Sequence, residues 1–133
     1  MSILKLYDFP ILDDERGSLV VLDKFLGVPF KIKRVYYLFG MKGNVSRGFH
    51  AHKKLHQIAF CISGTCRMII DNGANREDFI MESPNVGIDL PPMLWHEMHD
   101  FSANSILLVI ASDEYDESDY IRNYDEFMDL SNL

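Results

Sequence analysis

The chain has 133 residues, a formal net charge of −7, and 47 % hydrophobic and 12 % aromatic side chains. That length suits one domain, expected over residues 1–133, which buries roughly two thirds of the surface its unfolded chain exposes. The acidic balance argues against a general nucleic-acid surface, and no apolar run approaches the roughly eighteen residues of a membrane span. Met1 to Asp8 lack a basic segment followed by a long apolar one, so no secretory signal is expected and the expected location is cytoplasmic.

Read in chain order, the sequence is β almost throughout. Stretches rich in Val, Ile, Leu, Tyr and Phe occupy residues 18–24, 31–39, 57–62, 66–71, 78–81, 87–90 and 105–111. Asp71-Asn72-Gly73, Ser83-Pro84-Asn85 and Pro91-Pro92 punctuate them. Many short strands with regular turns predict a sandwich or barrel. Only the C-terminus differs: Tyr120, Tyr124, Phe127 and Met128 recur at helical spacing behind a candidate N-cap at Asp116 or Ser118, which predicts a short helix on the barrel. The acidic excess, concentrated in residues 113–129, reads as a solvated face.

Cys61 and Cys66 flank a Ser63-Gly64 turn signal, and a two-residue hairpin loop there would set the cysteines opposite one another. In a reducing compartment two packed thiols are expected.

Period two along residues 32–38 puts Ile32, Arg34, Tyr36 and Leu38 on one strand face, a mixture that suits the wall of a ligand cavity. Residues 47–52 then place Gly48, His50 and His52 on a common face. Two imidazoles side by side can bind a metal or carry a proton near neutral pH. Burying both in a plain core would cost roughly 1–3 kcal/mol for each ring nitrogen left unpaired. His96 shares a strand face with Met98, so a third imidazole can enter the same cavity, while Trp95, Glu97 and His99 face the other way. His56 and His99 read as surface or supporting residues. Arg34 and Arg47 are the cations best suited to an anionic ligand.

The pattern Gly43, His50-Ala51-His52, Gln57, Gly64, then Pro91 and His96, resembles the two-part signature of the cupins. The resemblance implies an all-β double-stranded β-helix, or jelly-roll barrel, here with a short C-terminal helix. Cupin metal sites pair His-x-His with a Glu; this chain has Gln57 there, and Met93 replaces a glycine of the second motif. A neutral amide is a poorer partner for a divalent ion than a carboxylate.

Residues 14–19, 33–37, 47–54, 95–102 and 112–124 together resemble the sugar-nucleotide 3,4-ketoisomerases, metal-free cupins related to the WxcM-like group. That resemblance implies a cofactor-independent isomerase acting on dTDP-4-keto-6-deoxyglucose, moving the carbonyl from C4 to C3 through an enediolate. It implies His50 as the base and His52 as a second proton carrier. Tyr36 is then the hydroxyl expected near the sugar, with Tyr37 the substitute if the register slips. Arg34 and Arg47 then serve as donors to pyrophosphate or sugar oxygens.

Arg16 and His96, at positions where the branches of this group differ near the sugar, resemble the galacto-forming branch. The implied product is dTDP-3-keto-6-deoxy-D-galactose, destined for an amino sugar of a bacterial surface polysaccharide such as an O-antigen. A homodimer with exchanged N-terminal strands is implied too. Residues such as Ile3, Leu4, Leu6, Phe9 and Ile11 would be sparsely buried on a lone barrel. The competing readings are a gluco-forming ketoisomerase, a related 3,5-epimerase, a metal-dependent cupin using His50, His52 and His96, and a non-catalytic sugar-nucleotide-binding cupin.

Overall fold

A computed structural model describes residues 2–42 and 44–133. Gly43, the first glycine of the cupin-like pattern, lies outside the described residues. The strands are β1 (Leu6–Asp8), β2 (Leu12–Asp14), β3 (Gly17–Leu19), β4 (Arg34–Leu38), β5 (Arg47–His52), β6 (Gln57–Ser63) and β7 (Cys66–Asp71). They continue with β8 (Arg76–Met81), β9 (Val86–Leu90), β10 (Trp95–His99), β11 (Ile106–Ala111) and β12 (Tyr120–Ile121). A single 3₁₀ turn, Glu117–Asp119, and helix α1, Tyr124–Ser131, complete the described chain.

Two five-stranded antiparallel sheets, ordered β1-β9-β6-β11-β4 and β12-β5-β10-β7-β8, face each other as the jelly roll that the cupin resemblance implies. Between them lies the main core, built on Ala59, Met68, Ile88, Leu90, Met98, Leu107 and Val109. The first sheet is covered on its outer side as well: Ile58, Phe60 and Ile110 pack under Phe9, Val28 and Phe30. Burial on both faces explains why residues 57–62 read as a continuous apolar run rather than an alternation.

Three expectations change. Of residues 18–24 only the first two lie in a strand, because β2 and β3 form a separate hairpin and residues 20–32 run as an irregular cover over the first sheet. Helix α1 begins later than expected, since Asn123 accepts from the Glu126 amide and caps it, while Asp116 caps the 3₁₀ turn and Tyr120 belongs to β12. Finally, β6 and β7 enter different sheets, so residues 61–66 form no paired hairpin. Cys61 and Cys66 nevertheless share the main core as free, buried thiols.

The N-terminal residues also pack more fully than their sequence suggests. β1 pairs with β9, Phe9 is buried, and Ile3 and Leu4 lie against the core. Leu6 and Ile11 stay exposed, as expected, and further exposed apolar surface lies on Leu12, Leu19, Phe25 and the outer side of β4, where Val35, Tyr37 and Phe39 project. Among the described residues no helix is long and apolar enough to cross a membrane.

Candidate active site

A cavity of about 450 Å3 opens between the sheets. Strand β4 contributes Arg34, Tyr36 and Leu38 to its wall, as the period-two reading requires, while Val35 and Tyr37 point to solvent. Tyr36 is therefore the cavity tyrosine and Tyr37 is not. Opposite stand Arg47, Gly48 and His50 from β5, with His96 and Met98 from β10.

A bulge places the histidines. His96 pairs with His50 and Glu97 with Gly48, which leaves Phe49 as the extra residue, held at φ 60°. Gly48 has φ +88°, and a Cβ there would lie 3.0 Å from the His96 carbonyl oxygen and 3.0 Å from Met98 Cε. Only glycine meets both demands. The His50 and His96 rings consequently sit 4.6 Å apart, and the His50 and His52 rings 5.1 Å apart.

Hydrogen bonds set the tautomers. His50 Nδ1 lies 3.0 Å from the Gly48 carbonyl and His96 Nδ1 3.3 Å from the Leu94 carbonyl. A carbonyl only accepts, so each ring carries its proton on Nδ1 and leaves Nε2 unprotonated. Burial holds all three rings neutral. It pulls His50 below the ordinary histidine value despite the opposing Gly48 carbonyl. His52 falls to about 4 through burial and the neighbouring His50, and His96 falls well below the ordinary value for the same reasons.

On the far wall, the Tyr36 hydroxyl donates to Gln57 Oε1 at 2.6 Å, and burial pushes its pKa up to about 12. Its oxygen keeps its lone pairs for the cavity. The Arg34 guanidinium lies 4.9 Å from the Tyr36 ring and 5.8 Å from the Tyr115 ring.

The nitrogens of His50, His52 and His96 lie within 4.8 Å of one another, close enough to surround a divalent cation. In this chain the position of the cupin glutamate is held by Gln57, fully buried and with its oxygen already accepting from Tyr36. The donor set is three neutral imidazoles without a carboxylate. Neutral imidazoles of this kind can accept and donate protons.

Two of the expected site residues do not line the main cavity of their own chain. Arg16 sits at the tip of the β2–β3 hairpin, which forms a sheet of its own; its side chain is 85 % exposed and paired with Asp14. His52 is buried beside His50 but borders a second cavity instead of the main one.

The sequence reading also missed part of the site. Tyr115, Tyr120 and Arg122 line the main cavity. Arg122 stacks 4.2 Å above Tyr120 and pairs with Glu117 at 2.9 Å. These residues lie in the acidic segment that reads as a solvated face. The available signal was two tyrosines and an arginine among its carboxylates, too sparse to outweigh the charge. His56 and His99 do play supporting parts, bonded to Asp89 at 2.6 Å and to Glu97 at 2.9 Å. Trp95 packs under α1 with its Nε1 donating to Glu97.

A histidine-lined cavity between two antiparallel sheets defines a jelly-roll protein of the cupin kind, and comparison with known proteins narrows it. The model of the family FdtA: WxcM-like, C-terminal, matches residues 2–132, and the chain belongs to that family. It is an isomerase. A TDP-4-oxo-6-deoxy-alpha-D-glucose-3,4-oxoisomerase from Aneurinibacillus thermoaerophilus is 51 % identical over 123 residues, 92 % of this chain and 88 % of the relative. The structure of a 3,4-ketoisomerase from Helicobacter canadensis superposes with a TM-score of 0.94 at 40 % identity, covering 100 % of both chains. QdtA, a 3,4-ketoisomerase from Thermoanaerobacterium thermosaccharolyticum, matches with a TM-score of 0.94 at 36 % identity, over 99 % of this chain and 96 % of its own. That structure is of a His-to-Asn variant in complex with TDP-4-keto-6-deoxyglucose.

Proposed function

We propose that this chain isomerises dTDP-4-keto-6-deoxy-D-glucose to dTDP-3-keto-6-deoxy-D-galactose, with neutral His50 as the base. The observation that carries the reading is the His50 tautomer: Nδ1 is engaged by the Gly48 carbonyl, and the ring lines the cavity with its Nε2 free.

The C4 ketone acidifies the hydrogen on C3. His50 Nε2 takes that proton, and the electron pair of the broken C–H bond forms the C3–C4 double bond of an enediolate. A proton returns to C4, the C3 hydroxyl loses its proton, O4 gains one, and the carbonyl stands at C3. General acid-base catalysis of this kind contributes roughly 10²–10⁴-fold. Tyr36, whose hydroxyl proton is directed at Gln57, presents its oxygen as an acceptor for the C3 hydroxyl, and Arg34 stabilises the enediolate charge. His52 passes protons behind His50. The chemistry calls for no cofactor, because the substrate's own ketone supplies the acidifying group.

Arg34, Arg47 and Arg122 surround the cavity and suit bidentate contact with a diphosphate. Tyr115 and Tyr120 offer faces for the thymine. A homodimer supplies what the single chain lacks: exchange of the hairpin carrying Leu12 and Leu19 would cover exposed apolar surface and bring Arg16 to a neighbouring site. The galacto product follows from Arg16 and His96 as branch-specific residues, and a surface-polysaccharide amino sugar is the corresponding destination. Two free buried thiols suit a cytoplasmic protein.

Incubation with dTDP-4-keto-6-deoxyglucose in deuterated water, followed by NMR of the hexose, tests the reading. The expected product carries deuterium at C4 and a carbonyl at C3, with the C4 coupling pattern of a galacto ring. Tight binding with neither a 3-keto product nor deuterium entering the sugar would leave only the non-catalytic reading.

A further inference from the structure

The surroundings of His52 differ from those of His50. Its side chain is 3 % exposed, and it borders a second cavity of about 310 Å3. Arg34, Tyr115 and Tyr120 line both cavities and so form the partition between them. Tyr120 packs 4.3 Å from the His52 ring and 5.1 Å from the His50 ring.

Buried ring nitrogens are ordinarily paired, yet neither nitrogen of His52 has a hydrogen-bond partner among the described residues. Asp119 Oδ2 stands 3.5 Å from His52 Nδ1, outside hydrogen-bond geometry but close enough to attract a protonated ring. The carboxylate is held there because it accepts from the Lys54 and Leu55 amides at 2.8 and 3.1 Å. Asp113, Glu114 and Asp116 line the same cavity. Four carboxylates thus outnumber Arg34 and Lys54 around the second cavity and favour a passing positive charge on His52, while the main cavity sets Arg34, Arg47 and Arg122 against no carboxylate.

We propose that the second cavity is a solvent port for the proton that His50 removes, and that Asp119 is a positioning residue which aims His52 into it. The inference rests on the isomerase reading above. The C3 proton bonds to His50 Nε2; His50 releases it to a ring nitrogen of His52 and returns to neutrality; His52 releases a proton to water in the second cavity. Asp119 stays ionised throughout. Reprotonation at C4 draws on the same route in reverse, so the hydrogen arriving at C4 comes from solvent and not from C3.

Turnover of substrate deuterated at C3, in ordinary water, reads this directly. The unsubstituted chain should wash out the label, leaving little deuterium at C4. Asp119→Asn should raise the retained fraction at least severalfold, because His50 then returns the same hydron before it escapes. A residue that merely holds the fold would lower turnover without changing retention. Should Asp119→Asn fail to fold, Glu114→Trp decides: it fills the second cavity from an exposed position whose side chain makes no hydrogen bond among the described residues. Strong retention in the unsubstituted chain, or unchanged retention in the deciding variant, overturns the port. Failure of the unsubstituted chain to form any 3-keto product is a separate result: it removes the isomerase reading and this inference with it.

Discussion

Gln57 accepts the hydroxyl proton of Tyr36 at 2.6 Å, and it does so from the position where metal-binding cupins place a glutamate. Gln57 is fully buried on β6, and Tyr36 reaches it from β4, with β11 between the two strands. One buried amide thus orients the cavity tyrosine.

Tyr36→Phe strands the buried Gln57 oxygen and removes the hydroxyl from the cavity. The expected cost is about 1–3 kcal/mol of stability, with a clear fall in kcat. Adding Gln57→Leu should restore part of the stability but none of the activity, since it deletes the orphaned acceptor. Urea denaturation of the double-mutant cycle, with assays alongside, checks both.

His50→Gln should lower kcat by roughly 10²–10⁴-fold while leaving TDP binding nearly intact. Titration calorimetry with TDP separates a lost base from a lost site. If binding and turnover fall together, His50 is a binding residue.

The pH dependence follows from burial. A histidine whose folded value lies below the ordinary 6.5 stays neutral, and able to act as a base, until the pH drops below that ordinary value. The acid limb of kcat/KM should therefore lie below pH 6.5. Stability moves in the same direction. The unfolded chain protonates His52 below about 6.5, while the folded chain resists until about 4. Stability is lost as the pH falls across that window, on the order of 3 kcal/mol from this group. Thermal melts at pH 7 and pH 5 measure it, and His52→Gln should flatten the difference.

Arg47→Ala and Arg122→Ala should raise KM about tenfold or more and change kcat little, because a charge-assisted hydrogen bond is worth roughly 1.5–3 kcal/mol. Measured KM and kcat for each variant provide the check. A fall in kcat at constant KM would place these residues at the reacting carbons instead.

Phe127→Ala tests how α1 supports the site. Phe127 is fully buried against Ala51, Trp95 and Ile121, beneath the strand that carries Tyr120. A loss of about 3–5 kcal/mol is expected. Weaker substrate binding should accompany it at temperatures where the variant is still folded, since β12 pairs with the end of β5 at His52.

Much of this was legible in the residues themselves. Strand and turn patterning pointed to a sandwich or barrel, to the inward face of β4 with Arg34 and Tyr36, and to Gly48 and His50 sharing a face of β5, because alternation along a strand is a local property. Gln57 showed by identity alone that the cupin glutamate is replaced by an amide. Tertiary structure decided the rest. Only the bulge at Phe49 sets the ring spacing, and only the path of residues 113–122 across the barrel mouth turns Tyr120, Arg122 and Asp119 toward the histidines. It also separates Arg16 from its own cavity and gives His52 a cavity of its own. Such relations join residues far apart in the chain, and no local period encodes them.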